Sequence, residues 1–493
     1  MRRTSGVLMH ISSLFGDYSI GSFGNEAKEF IDFLADGGFT FWQVLPFCMT
    51  DESNSPYKSY SAFGGNPYFI DLPTLHRRGL LTDDELASAK QHFPYLCEYK
   101  RLSEDRIGLL RLAASRLSDK ERDKVLDFAQ AHPELDEAAN FIALKESNCG
   151  KPWYEWTVFT PLCDELFFRR FCEYEFYNQW LDVKSYANSR GIEIIGDIPI
   201  YVAHDSADVY SNKEQFLLEE NNMPSSVAGV PPDYFSEEGQ LWGNPLYNWR
   251  KMRENGYTWW EKRLRHMLTL FDGVRIDHFR GLESFYSIPA AAKSAKEGKW
   301  VKGPGRAFID KIRSIAGEKL IIAEDLGDIT PSVEALVKYS GFPGMRVFQF
   351  GFLGDESSPH LPHNYVKNCV AYTGTHDNNT LLGYIWESDE GLRTRMLDYC
   401  GCEHTDWSRS CKMIIRTVMA SHADTVIFPI QDIFVFGADT RMNTPGTDKN
   451  NWQYRITREQ LYKTDRSKFR YYNDLYGRTP HLAVREPNFN STI

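Results

Sequence analysis

No stretch of this chain approaches the ~20 consecutive apolar residues that a membrane-spanning helix requires, so no membrane association is expected. Arg2 and Arg3 before Val7-Leu8-Met9 begin like a secretion signal, but His10, Ser12 and Ser13 interrupt the apolar run too early for one. An excess of positive charge is also missing: 56 Lys and Arg stand against 67 Asp and Glu, a net charge of -11. Binding a polyanion needs a basic face that releases counterions, so this balance argues against a nucleic-acid partner. The nine cysteines are odd in number and have no metal-ligand rhythm, and Cys400-Gly401-Cys402 lacks the further clustered ligands a zinc site needs. Reduced thiols account for them most simply, and a cytoplasmic location is expected. Internal repeats, low-complexity tracts and long linkers are absent as well.

What the chain does have is a series of short apolar runs, each closed by polar residues or glycine, with helical periodicity between them. The clearest are 41–46, 192–202, 273–279, 320–327, 345–352, 370–377 and 425–434. Runs that are apolar throughout, rather than alternating, suit parallel strands buried on both faces. Asp277 and Glu324 are 47 positions apart, Glu324 and Phe350 are 26 apart, and Phe350 and Asp377 are 27 apart. The last two spacings fit bare strand-helix-strand units of about 30 residues, and the first leaves room for a modest insertion. Seven runs are visible and an eighth is not placed. The pattern predicts an α/β fold, a (β/α)8 TIM barrel rather than an open doubly wound sheet.

One catalytic barrel domain over residues 1–493 is expected, with two insertions. From about 76 to 186 the sequence is helical and charged, broken once at His132-Pro133, and reads as a helical subdomain. From 204 to 260 it is rich in Gly, Pro and aromatics and reads as long ordered loops on the face where the strands end. The aromatic content of 14% suits flat surfaces that stack on a ligand, although most of these rings are expected in the core.

In a parallel barrel, functional groups project from the C-terminal ends of strands. Five of the runs close on carboxylates: Asp197, Asp277, Glu324 with Asp325, Asp377 and Asp432. A single such acid has a simpler explanation as a helix cap, but several on successive strands predict one shared anionic pocket. That pocket suits either a divalent metal or carboxylate chemistry on a sugar. Arg275 and His278 flank Asp277, and His376 precedes Asp377. Cationic neighbours favour an ionised carboxylate that serves as a nucleophile, whereas a metal cage gathers further acceptors, so no metal is expected. Cleavage with retention needs a nucleophilic carboxylate and a second, protonated one about 5–5.5 Å away. Asp277 and Glu324 fall on consecutive strands, and Asp377, further round, is placed to bind sugar hydroxyls.

Long strings in the chain resemble the 4-α-glucanotransferases, or amylomaltases, of glycoside hydrolase family 77. They include Arg3-Thr4-Ser5-Gly6-Val7-Leu8, Ser55-Pro56-Tyr57, Gly196-Asp197-Ile198-Pro199-Ile200-Tyr201-Val202 and the segment from Gly229 to Tyr247. Val274-Arg275-Ile276-Asp277-His278-Phe279-Arg280-Gly281, Ala323-Glu324-Asp325-Leu326-Gly327, Gly374-Thr375-His376-Asp377 and Arg441-Met442-Asn443-Thr444-Pro445-Gly446-Thr447 continue the likeness in order. The resemblance implies transfer of α-1,4-glucan segments between glucans and maltooligosaccharides, through a covalent β-glucosyl-enzyme and without a cofactor. It implies Asp277 as nucleophile, Glu324 as general acid/base and Asp377 as transition-state stabiliser. Arg275, His278, His376 and Asp197 are then expected to line the sugar site, and Tyr57, Tyr234, Phe235, Gln240, Trp242 and Asn443 to hold the glucan. Two residues depart from the family's habit: Phe15 stands where Pro is frequent, and Asn379 where an acid is frequent. The same acids also suit an α-glucan hydrolase of the α-amylase type, and a glucan-binding protein without turnover is the non-enzymatic alternative.

Overall fold

The computed structural model describes residues 3–232, 237–447 and 449–479. Twelve strands are present among them: β1 Thr4–Leu8, β2 Phe41–Gln43, β3 Glu193–Ile198, β4 Ser226–Val230, β5 Gln240–Pro245, β6 Gly273–Ile276, β7 Ser284–Pro289, β8 Lys299–Lys302, β9 Leu320–Ala323, β10 Gly344–Val347, β11 Cys369–Tyr372 and β12 Thr425–Pro429. Eight of them close into a parallel barrel in the order β1-β12-β11-β10-β9-β6-β3-β2. The barrel expected from the apolar runs is therefore present, and β1 is the strand that could not be placed from sequence. Its five residues include Thr4, Ser5 and Gly6, too polar for an apolar run, and it gains its strand character only by pairing with β2 and β12 on both edges. Gly6 is required there, because a Cβ would lie 2.7 Å from the Cβ of Phe41.

Side chains alternate across a strand, and this sets what points into the barrel. Leu8, Phe41, Ile195, Ile322, Met345, Val370, Tyr372 and Ile427, drawn from seven of the eight barrel strands, form one buried cluster. The eighth strand, β6, is in register with Asp197 of β3 and Ile322 of β9 at Arg275. Two residues further along the same inward faces stand Asp197 after Ile195, Asp277 after Arg275 and Glu324 after Ile322. The carboxylates are thus the next layer of the barrel interior, directly above its apolar floor.

Helices 25–36, 163–189, 258–270, 306–316, 331–340 and 407–420 pack between strands and solvent. The long helix Cys163–Ser189 runs across the expected boundary at 186 and buries Trp180 fully. The Trp180 ring packs on Phe47 at 4.6 Å and its Nε1 donates to the Leu270 carbonyl at 2.9 Å. A fully buried apolar side chain of this size contributes about 1.5–3 kcal/mol. Between β2 and this helix lie Ile107–Ser115, Asp119–Ala131 and Pro133–Ser147. His132-Pro133 does end one helix, and Pro133 starts the next at a position where its missing N–H costs nothing.

Two expectations are corrected. The spacing from Phe350 to Asp377 suggested a strand-helix-strand unit, yet only the 3-10 turns Phe348–Phe352 and Pro362–Asn364 join β10 to β11. Gly351, Gly354, Pro359 and Pro362 deny that segment a continuous helical ladder. The region 204–260 is not all loop either: β4 and β5 join β7 and β8 in a separate four-stranded antiparallel sheet, ordered β5-β4-β7-β8. Its own small core is Val227, Tyr286, Ile288 and Ala295.

Candidate active site

Arg275 is the hinge of the site. Reaching up from β6, its Nη1 donates to Asp197 Oδ2 and its Nη2 to Asp277 Oδ1, each at 2.6 Å. Tyr57 Oη donates to the same Asp197 oxygen at 2.6 Å. Asp197 and Arg275 are buried, and only pairing of this quality tolerates charge there. Asp277 spends one oxygen on Arg275, while Oδ2 accepts no hydrogen bond among the described residues and its side chain is 29% exposed. With a guanidinium on one oxygen and the second oxygen open, Asp277 is accessible to a ligand.

Glu324 is enclosed instead. Burial, with the Asp277 charge next in size, pushes its pKa up to about 8 from 4.5, against Arg275 and the N–H groups of Leu326 and His278. His278 N donates to Oε2 at 2.7 Å and Leu326 N to Oε1 at 3.0 Å, which fixes the orientation of the carboxyl group. His278 adopts φ 50, a left-handed conformation uncommon for a side-chain-bearing residue, and this turn aims its N–H at Glu324. Burial lowers the His278 ring pKa to about 4, so it is neutral. Its Nε2 is buried and without a partner among the described residues, a polar atom left for a ligand.

Asp377 stands apart from this charge network, with its side chain 44% exposed. Asn443 Nδ2 donates to Oδ1 at 2.6 Å and His376 Nε2 lies 3.4 Å from Oδ2. The His376 ring stacks on Tyr57 at 5.2 Å and 12°, which links this acid to the Asp197 side of the site. Trp242 on β5 meets the His278 ring edge-on at 5.0 Å, and its Nε1 donates to Gln240 at 3.0 Å. The small antiparallel sheet therefore delivers Gln240 and Trp242 to the His278 turn. Tyr234 and Phe235 lie outside the described residues.

Two of the strand-end acids do not join the pocket. Asp325 accepts from Met345 N at 2.6 Å and from Arg346 at 3.2 Å, tying β9 to β10. Asp432 accepts from Thr373 Oγ1 at 2.5 Å and from Leu381 N at 2.7 Å, anchoring the helix that follows β11. The structure also adds residues that the sequence reading gave no role. Arg441 Nη2 donates to the Asp377 carbonyl at 2.5 Å, and Trp452 packs 5.9 Å from His376 and 6.0 Å from Tyr57. Arg441 sits in a string already singled out, whereas an isolated Trp in a polar loop carries no sequence signal. Asn379 donates to Glu387 at 2.7 Å, an interaction that an acid at that position would turn into repulsion. Among the described residues, no group of three or more His, Cys, Asp or Glu has the geometry of a metal site.

Comparison with known proteins is consistent across sequence and structure. A family model described as 4-alpha-glucanotransferase, glycoside hydrolase family 77, matches residues 9–460. The 4-alpha-glucanotransferase of Synechocystis sp. is 40% identical over 97% of this chain and 98% of its own length, and that of Clostridium butyricum 40% identical over 95% and 100%. The amylomaltase of Streptococcus agalactiae, solved in complex with acarbose, superposes with a TM-score of 0.94 at 35% identity, covering 97% of this chain and 100% of that one. With a barrel of this kind and matches along almost its whole length, the chain belongs to the 4-alpha-glucanotransferase family.

Proposed function

We propose that this enzyme transfers α-1,4-glucan segments between maltooligosaccharides with retention, using Asp277 as nucleophile, Glu324 as general acid and base, and Asp377 as the group that grips the distorted sugar. The observation that carries the assignment is the contrast between two neighbouring carboxyls: Asp277, with one oxygen on the Arg275 guanidinium and the other open, and Glu324, whose burial pushes its pKa up to about 8.

In the first step, Asp277 Oδ2 attacks the anomeric carbon, the glycosidic C–O bond breaks, and the Glu324 proton passes to the departing 4-oxygen. Esterification removes the negative charge of Asp277, the charge that helps to raise the Glu324 pKa. The Glu324 carboxylate formed in this step is therefore stable as a base. It then takes the proton from the 4-hydroxyl of an acceptor glucan, which attacks the anomeric carbon and releases Asp277. Asn443 and His376 hold the Asp377 carboxylate for sugar hydroxyls, and the neutral His278 offers Nε2 to another. Trp242, edge-on to the His278 ring, is assigned to an aromatic cover that excludes water, so that a sugar outcompetes it at the intermediate.

The family reaction is transfer, and hydrolysis is the disfavoured reading. We read the whole chain as one catalytic unit in which the helices after β2 and the β4-β5-β7-β8 sheet are insertions into the barrel. A cytoplasmic location fits nine unpaired cysteines, and no helix among the described residues is long and apolar enough to cross a membrane. The deciding experiment is incubation with maltotriose: glucose together with maltopentaose and longer products is expected, and glucose without chain lengthening overturns the proposal.

A further inference from the structure

Trp386 is 71% exposed, the most exposed of the large hydrophobic side chains among the described residues. It lies on the helix Leu381–Glu387, whose opposite face is fully buried through Leu381 and Ile385. Its ring meets that of Trp407 at 5.2 Å and 78°, so the two indoles form a right-angled corner. Both walls of the corner are rigidly mounted. Thr380 caps the first helix by accepting from Gly383 N at 3.1 Å, and Asp432 accepts from Leu381 N at 2.7 Å. Asp406 caps the helix Trp407–Ala420 by accepting from Arg409 N at 2.9 Å, and Trp407 Nε1 donates to the His404 carbonyl at 2.9 Å. The Arg393 guanidinium lies 5.3 Å from the Trp407 ring, and its Nη1 donates to the Ser388 carbonyl at 2.9 Å.

The helix bearing Trp386 is tied to residues beside Asp377. The residue after Trp386, Glu387, accepts from Asn379 at 2.7 Å. Asn379 in turn lines a cavity with His376, Thr375 and Arg441. The C-terminal end of the helix bearing Trp386 is thereby linked, through Asn379, to the His376 that precedes Asp377.

We propose that Trp386 and Trp407 form a second glucan-binding platform that holds the distant part of a long α-1,4-glucan while its end is processed at Asp277. The inference rests on the glucanotransferase reading and extends it to a preference for long chains. Sugar rings present apolar C–H faces that stack on indole, and a pre-set corner orders no side chain on binding. The surrounding Glu387, Asp389, Glu390, Glu403 and Asp406 disfavour a polyanion and present acceptors to neutral hydroxyls.

The test compares wild type with Trp386→Ala and with Trp386→Ala/Trp407→Ala. Retention on immobilised amylose is measured with the cleft saturated by maltotriose, alongside the kinetics of maltotriose and of soluble amylose. The platform predicts that KM for amylose rises about fivefold to tenfold in Trp386→Ala and that retention falls by a similar factor, while maltotriose kinetics stay unchanged. Equal retention and equal KM for amylose in all three proteins overturn it, even if maltotriose disproportionation is normal. Wild type that binds amylose but leaves maltotriose untouched refutes the glucanotransferase reading instead. A change in sedimentation on removing Trp386, with retention unaltered, makes the corner a contact between copies and also overturns the proposal.

Discussion

Asp277 and Asp432 occupy the same kind of place, just beyond or just after a barrel strand, and they do opposite work. Asp432 is fully enclosed, with one oxygen on Thr373 and the other on Leu381 N, so the chain's own donors use it up. Asp277 gives one oxygen to Arg275 and leaves the other open to the cleft. A strand-end acid whose partners take only one oxygen keeps the other for a ligand. At Asp432 local donors take both oxygens and the side chain clasps the backbone; Glu324, whose oxygens also each accept an N–H, is set apart by standing beside Asp277. Burial alone does not separate the two kinds, because it pushes Asp432 up to about 6 just as it pushes Glu324 up to about 8.

The comparison is broken most directly at Asp277. Asp277→Asn is expected to cut maltotriose disproportionation by at least about 10⁴-fold while circular dichroism and melting temperature stay near wild type. Activity within tenfold of wild type removes the nucleophile assignment.

Glu324→Gln comes next, with a loss of about 10³-fold on natural donors. Transfer by wild type should also decline above pH 8, as the acid titrates at about 8. The same group makes a prediction about stability. Its pKa is about 8 folded against an ordinary 4.5, so the folded chain keeps a proton that the unfolded chain releases. Stability from this group is full below pH 4.5 and declines as pH rises toward 8. Glu324→Gln cannot ionise, and its melting temperature should exceed that of wild type by more at pH 8 than at pH 5. An equal difference at both values of pH shows that Glu324 titrates normally.

Asp377→Asn is expected to lower kcat by about 10²-fold with little change in KM, as loss of a contact made mainly in the transition state. Asp432→Asn tests the other side of the comparison. Stability should fall by about 1–3 kcal/mol from the disturbed bonds to Thr373 and Leu381, read by denaturant melts, with specific activity of the folded fraction within a fewfold of wild type. A loss of activity like that at Asp277, without loss of stability, merges the two classes. Smallest of all, Trp242→Ala should raise the share of hydrolysis over transfer a fewfold, read as free glucose from maltotriose relative to longer products.

Seven of the eight barrel strands, and the places of Asp277, Glu324 and Asp377 just after three of them, were legible from the chain alone. Apolar runs and the polar residues that close them are local properties, and period-2 alternation carries them to the barrel interior. Strand β1 was not legible, because Thr4-Ser5-Gly6 is polar and is held by pairing with β2 and with β12 near the far end of the chain. The β4-β5-β7-β8 sheet was read as loop for a related reason: its strands are short and divided between two insertions, and pairing across that gap leaves no local pattern. The helix expected between β10 and β11 failed because spacing counts residues without asking whether Gly and Pro permit the ladder.

The sequence by itself determined the class of fold, the acids at the strand ends and, through long family strings, the reaction. Only the tertiary structure decided which acids share a pocket and how burial and neighbouring charge act on them. It placed Arg275 between Asp197 and Asp277, enclosed Glu324 beside them, and turned Asp325 and Asp432 away to clasp the backbone. The physical reason is that ionisation depends on burial and on charges a few ångströms away, and these come from strands far apart in the chain.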